Sequence, residues 1–153
     1  MTFSEVINLI IKRRKLVIAV DFDGTIVKNE WPEIGRTRWF AFPVLRWMKK
    51  RGHILILYTC RENLDLDKAI LFLIRNNLKY PAFDYINENC KELIKKFGDA
   101  RKIGADLYID DLGAGFWIWP IIPMIVWLKE RRRNDGTRNK NKMRSDAKRS
   151  GSL

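Results

Sequence analysis

Leu16–Thr25, LVIAVDFDGT, sets five apolar residues in a row before a carboxylate. An unbroken apolar run from Leu16 to Val20 is the pattern of a short strand buried on both faces at the centre of a parallel sheet. Asp21 and Asp23 lie two apart where it ends, so backbone that stays extended that far leans both carboxylates to one side. Gly24 lets the chain turn sharply and brings its backbone close to whatever sits there. Two uncompensated acids in such a place repel each other unless a cation or a shared proton relieves them, and a divalent metal is the natural occupant. The competing reading is a plain turn after a strand, with Asp23 bonded to nearby backbone.

Upstream, Val6, Ile7, Ile10 and Ile11 recur at helical spacing, so Ser4–Arg14 is expected to be a short amphipathic helix. Downstream, Ile26–Phe42 is broken by Trp31, Pro32 and Gly35 and reads as a loop or flap beside the two acids. Pro43 opens a helix that Arg51 and Gly52 end. Ile54–Tyr58 is a second buried strand, closed by Thr59-Cys60-Arg61-Glu62, and a helix follows from about Leu64 to Asn77. Phe83–Ile86 is a weaker strand, Cys90–Phe97 a short helix, and Leu107–Ile109 an apolar run closed by Asp110-Asp111. Strands separated by helices imply right-handed crossovers and an α/β domain, a three-layer Rossmann-like parallel sheet with helices on both faces. Ligands of such sheets bind outside the carboxyl ends of the strands, where Asp21, Asp23, Thr59, Asp110 and Asp111 all fall.

A chain of 153 residues with 46% hydrophobic residues suits one domain. The formal charge of +12 is concentrated at the end, since Arg131–Leu153 holds nine Lys or Arg against two Asp. The expected organisation is a catalytic domain over residues 1–131 and a basic disordered tail over 132–153. The tail is either a solvated end or a nucleic-acid tether, although no aromatic residue is interleaved to stack on bases. Cys60 and Cys90 are too far apart for a disulfide framework or a zinc spacing and fit a reducing cytoplasm. No secretory signal is read at the amino terminus. Leu112–Leu128 is uncharged but holds Pro120 and Pro123 and falls short of the roughly 20 residues a spanning helix needs, so no membrane span is expected. Instead, Phe116–Trp119 is read as an edge segment, followed by a helix from Pro120 or Pro123 to near Arg132. Trp117, Trp119 and Trp127 offer a surface for a homodimer.

A carboxylate can attack phosphorus and form an aspartyl-phosphate that water then hydrolyses. The attack needs a cation against charge repulsion, donors for the phosphoryl oxygens, and an acid for the leaving oxygen. Asp21 with Asp110 and Asp111 can hold Mg²⁺, a hard ion suited to carboxylates and water. Thr59 and Lys102 can hold a phosphoryl group, and Asp23 is the second acid. In this, the chain resembles the haloacid dehalogenase-like (HAD) superfamily, whose four motifs correspond in order to Asp21–Thr25, Thr59, Lys102 and Asp110-Asp111. The resemblance spans roughly Leu16–Ile125. It implies that Asp21 is the nucleophile and a metal ligand, and that Asp23 is general acid and base with its carbonyl on the metal. Thr59 and Lys102 would bind the phosphoryl group, and Asp110 and Asp111 would complete the Mg²⁺ site. Lys95, Lys96 and Arg101 compete with Lys102, which is chosen as closest to the strand. The short intervals between motifs leave no room for a large cap, which resembles the small capless members of the superfamily.

The implied function is a Mg²⁺-dependent phosphomonoester hydrolase acting on a phosphorylated substrate. The alternative is a HAD-fold protein, non-catalytic or directed to nucleic-acid ends, that binds nucleic acid through its basic tail. Gly24, Thr25, Arg61, Trp31, Asn87 and Asn89 are further substrate-contact candidates on loops beside the site. For Arg61 a helix-start ion pair with Glu62 competes with an anion contact. His53 is expected at the surface, and Cys60 in the packing.

Overall fold

The computed structural model of the protein describes residues 15–76, 78, 82–114 and 119–131. The expected helix over Ser4–Arg14, Trp117 and the basic tail from residue 132 lie outside the described residues. In chain order come β1 (Val17–Val20), β2 (Val27–Glu30), β3 (Glu33–Thr37), α1 (Ala41–Lys50), β4 (Ile54–Leu57), α2 (Asn63–Arg75), β5 (Tyr85–Ile86), α3 (Lys91–Phe97), β6 (Leu107–Ile109) and α4 (Asp111–Ala114). A further helix, α5, spans residues 122–131. The chain divides into two compact units. Lys15–Pro123 holds the sheet, and residues 124–131 are the described part of the second.

Four parallel strands form the sheet in the order β5-β4-β1-β6. Register places Val17 opposite Ile54 and Ala19 opposite Ile56, and Ile18 opposite Leu55 and Val20 opposite Leu57. Because side chains alternate along a strand, these pairs define two apolar faces. On one, Ala19, Ile54 and Ile56 pack with Cys90, Ile103, Tyr85 and Leu93, the last from α3. The chain runs outward from β1 to β4 to β5, then crosses back to β6 on the far side of β1. Right-handed crossovers therefore put α1 and α2 on the face opposite α3. The two helices meet there through Phe42 and Phe72, whose ring centroids are 6.2 Å apart. Ile18, Val20, Leu55, Ile56 and Leu57 are all fully buried. At about 1.5–3 kcal/mol for each such side chain, the core can offset a few kcal/mol of charge repulsion elsewhere.

The amino ends of the strands are closed by side chains. Asp106, one residue before β6, donates its N–H to the Val17 carbonyl at 2.7 Å and accepts the Val17 N–H on its carboxylate at 3.0 Å. Asp84, one residue before β5, does the same to Leu55, both distances being 2.8 Å. His53, expected at the surface, is buried, and its Nδ1 accepts the Leu16 N–H at 3.2 Å. Its position between α1 and β4 decides that, because the buried Leu16 N–H just ahead of β1 needs an acceptor away from water.

Residues 26–42, expected as a loop or flap beside the acids, have regular structure that the sequence does not announce. They contain the antiparallel hairpin β2/β3, pairing Val27 with Thr37 and Glu30 with Glu33. VKNE and EIGRT lack the apolar alternation that marks a strand in sequence. Close backbone approach reveals it instead: a Cβ on the buried Gly35 would lie 2.2 Å from the Lys28 carbonyl oxygen. This hairpin is all that stands between β1 and α1, so no large cap covers the carboxyl ends of the strands. In the second unit, Val126 and Glu130 are buried, and Arg131 lies 4.0 Å over the exposed ring of Trp127. Among the described residues no helix is long and apolar enough to cross a membrane.

Candidate metal site

The strand order reverses beside β1, whose neighbours lead onward to β4 on one side and back from β5 on the other. The crevice at such a switch point is where open parallel sheets bind ligands. Asp21 follows β1, Asp110 follows β6, and Asp111 begins α4. The Asp21 N–H bonds the Ile109 carbonyl at 2.9 Å, so the ladder holds the two acid-bearing ends side by side. One carboxylate oxygen from each of Asp21, Asp110 and Asp111 lies within 4.8 Å of the others, and all three residues are half-buried.

Burial pushes the Asp21 carboxyl up to about 7, with the charges of Asp110 and Asp111 adding to the rise and hydrogen bonds from the Thr25 hydroxyl and the Phe22 N–H opposing it. Three oxygen donors that repel one another, only partly shielded from water, could hold a metal ion. Thr25 is buried and links the two halves of the cluster. Its hydroxyl donates to Asp21 and accepts the Asp111 N–H at 2.8 Å. Gly24, at φ +82, leaves the space that Asp111 occupies; a Cβ there would stand 2.1 Å from Asp111 Oδ2. Gly24 and Thr25 thus shape the acid cluster.

Thr59 is buried just past β4. Its hydroxyl accepts the Arg61 N–H at 3.2 Å, which leaves its hydrogen to be donated. Asn87, at φ 51, clamps Thr59 from β5: it accepts the Thr59 N–H at 2.8 Å and donates to the Thr59 carbonyl at 2.7 Å. Asn89 is buried in a second clamp, donating to the Ala100 carbonyl at 2.8 Å and accepting the Gly104 N–H at 2.6 Å. Both asparagines therefore hold loop backbone in place. Lys102 stands exposed on the loop that Asn89 fixes, and the Asn89 side-chain amide donates to the Lys102 carbonyl at 3.4 Å.

Arg61 departs from both expected roles. It is fully buried, and its guanidinium grips Asp23, with Nε donating to Oδ2 at 2.7 Å and Nη2 to Oδ1 at 2.8 Å. Trp31, 56% exposed, lies over that guanidinium with 4.9 Å to its ring centroid. Cys60, expected in the packing, is exposed, and Cys90 is the buried thiol.

Two contacts at the site carry no sequence signal. Arg38 Nε donates to the Gly24 carbonyl at 3.1 Å. Trp119, counted in the sequence among surplus surface aromatics, is buried, and its Nε1 donates to the Thr25 carbonyl at 2.8 Å. Neither partner could be read from spacing, since Trp119 is 94 residues from Thr25.

No protein-family model matches the chain, and no curated protein does. A solved structure described as a conserved protein from Bacteroides thetaiotaomicron is 36% identical, with a TM-score of 0.66. The match covers 78% of this chain and 96% of that one. With that identity over nearly the whole of the other protein, the chain belongs to the family of this conserved Bacteroides protein.

Proposed function

We propose that the protein is a Mg²⁺-dependent phosphomonoester hydrolase of the HAD type. The observation that carries this reading is the convergence of Asp21, Asp110 and Asp111 at the switch point of the sheet. Bound there, Mg²⁺ would draw charge from the phosphate oxygens and lower its repulsion from the nucleophile. An Asp21 oxygen attacks phosphorus, the bond from phosphorus to the ester oxygen breaks, and Asp23 gives that oxygen its proton. Asp23 then takes a proton from water. The resulting hydroxide attacks the aspartyl-phosphate at phosphorus, releasing phosphate and restoring the Asp21 carboxylate. The Thr59 hydroxyl, with its backbone fixed by Asn87, donates to a phosphoryl oxygen, and Lys102 supplies positive charge from its loop.

The test is phosphate release from p-nitrophenyl phosphate with Mg²⁺ or with chelator, for the wild type and Asp21→Asn. Turnover that needs metal and drops by at least about 10³-fold in the variant supports the aspartyl-phosphate route. A variant as active as the wild type would rule out Asp21 as nucleophile.

A further inference from the structure

Arginine is almost never fully buried unless it is paired, yet Arg61 is 0% exposed. Four of its N–H donors meet partners from two other parts of the fold. Besides its two bonds to Asp23, Nη2 donates to the Glu33 carbonyl at 2.9 Å and Nη1 to the Pro32 carbonyl at 3.0 Å. Two aromatic rings lie against the guanidinium, with centroids 5.2 Å away for Phe22 and 4.9 Å for Trp31. One side chain thus joins the segment after β4, the loop acid after β1, and the turn of the β2/β3 hairpin. A guanidinium so enclosed has no open face for a substrate anion. Its rigid fork also fixes the plane of the carboxylate it meets, which a lysine could not do. Because Asp23 and the hairpin turn share this single cation, a shift of one disturbs the bonds of the other.

We propose that Arg61 is a positioning residue that sets the orientation of Asp23 and couples it to the seating of the β2/β3 hairpin. The catalytic half of this proposal rests on the acid-base role given to Asp23 above; the coupling does not. Each Asp23 oxygen keeps a lone pair outside the fork, and one of them can carry the proton that Asp23 passes to the ester oxygen while Arg61 holds the plane of the carboxyl group.

Two readouts on the full chain test the proposal. The first compares p-nitrophenyl phosphate, whose leaving group departs without help, with phenyl phosphate, whose poorer leaving group needs a proton. Arg61→Lys keeps the charge and loses the fork. It should lower kcat/KM for phenyl phosphate by about 10²-fold and for p-nitrophenyl phosphate by less than about 10-fold. The second is hydrogen exchange of peptides across residues 28–38, which should accelerate in Arg61→Lys and in Asp23→Asn while peptides from β1 and β4 keep their protection. Equal loss on both esters, or unchanged hairpin exchange in both variants, overturns the proposal. If the wild type turns over neither ester, the phosphatase reading fails, and hairpin exchange alone then sustains or overturns the coupling. Should Arg61→Lys not fold, Asp23→Asn carries the exchange comparison.

Discussion

At the amino ends of the strands, Asp84 and Asp106 each sit one residue before a strand and bond both backbone groups of a residue on the neighbouring strand. At the carboxyl ends, Asp21, Asp110 and Asp111 turn oxygens toward one another within 4.8 Å. The same side chain thus plays opposite parts at the two ends of one sheet. Where a carboxylate meets an N–H, the pair closes a strand end that would otherwise leave a buried donor without an acceptor. Where it meets other carboxylates, the arrangement costs stability and stores affinity for a cation. Removing an acid should therefore weaken the fold at one end and relieve it at the other.

The largest difference is expected for the double variant Asp110→Asn with Asp111→Asn. Mg²⁺ affinity, measured by calorimetry, should fall by about 10²-fold or more, while the metal-free chain unfolds at the same or a higher denaturant concentration. A clear loss of stability would show that these acids serve the fold. Gly24→Ala sharpens the contrast, since its Cβ would collide with Asp111 and its φ of +82 is strained for alanine. It should cost about 1–2 kcal/mol in denaturant melts and weaken Mg²⁺ by about 10-fold as Asp111 is pushed aside. Asp84→Ala and Asp106→Ala should each cost about 1–3 kcal/mol by leaving a strand N–H unsatisfied, and leave Mg²⁺ affinity unchanged. A fall in metal affinity in either would break the division between the two ends.

The smallest effect is a dependence on pH. Folded Asp21 holds its proton up to about 7, whereas the unfolded chain releases it near 3.8. The folded state therefore binds more protons in that window. The Asp21 contribution makes metal-free stability fall as pH rises from about 4 to about 7 and level off above. Mg²⁺ must displace the proton, so its affinity should weaken as pH drops below about 7. Denaturant midpoints across this range, with chelator, should lose this part of their slope in Asp21→Asn. An unchanged slope would place the cause in another group.

What could be read from sequence follows from range. The strand at Leu16–Val20 and its neighbours at Ile54 and Leu107 are contiguous apolar runs, and the acids that end them stand next to them in the chain. The β2/β3 hairpin escaped because neither strand alternates and its evidence is a backbone contact at Gly35. Arg61 stands two residues after Thr59 in the chain, but its partner lies 38 residues back at Asp23. For Asn87 and Asn89 the sequence suggests substrate contacts from loops, and the structure gives their side chains to backbone clamps.

The sequence by itself determined the alternation of strands and helices, the parallel sheet, and the gathering of acids at its carboxyl end. These depend on local hydrophobic patterning and on the handedness of crossovers, which any L-chain obeys. Only the tertiary structure decided that the Asp23 carboxylate is gripped by Arg61 and stands outside the group of Asp21, Asp110 and Asp111, that His53 and Trp119 lie inside, and that Gly24 makes room for Asp111. Each of those depends on which distant segments share one small buried space, where every polar group must find a partner and an added methyl has nowhere to go.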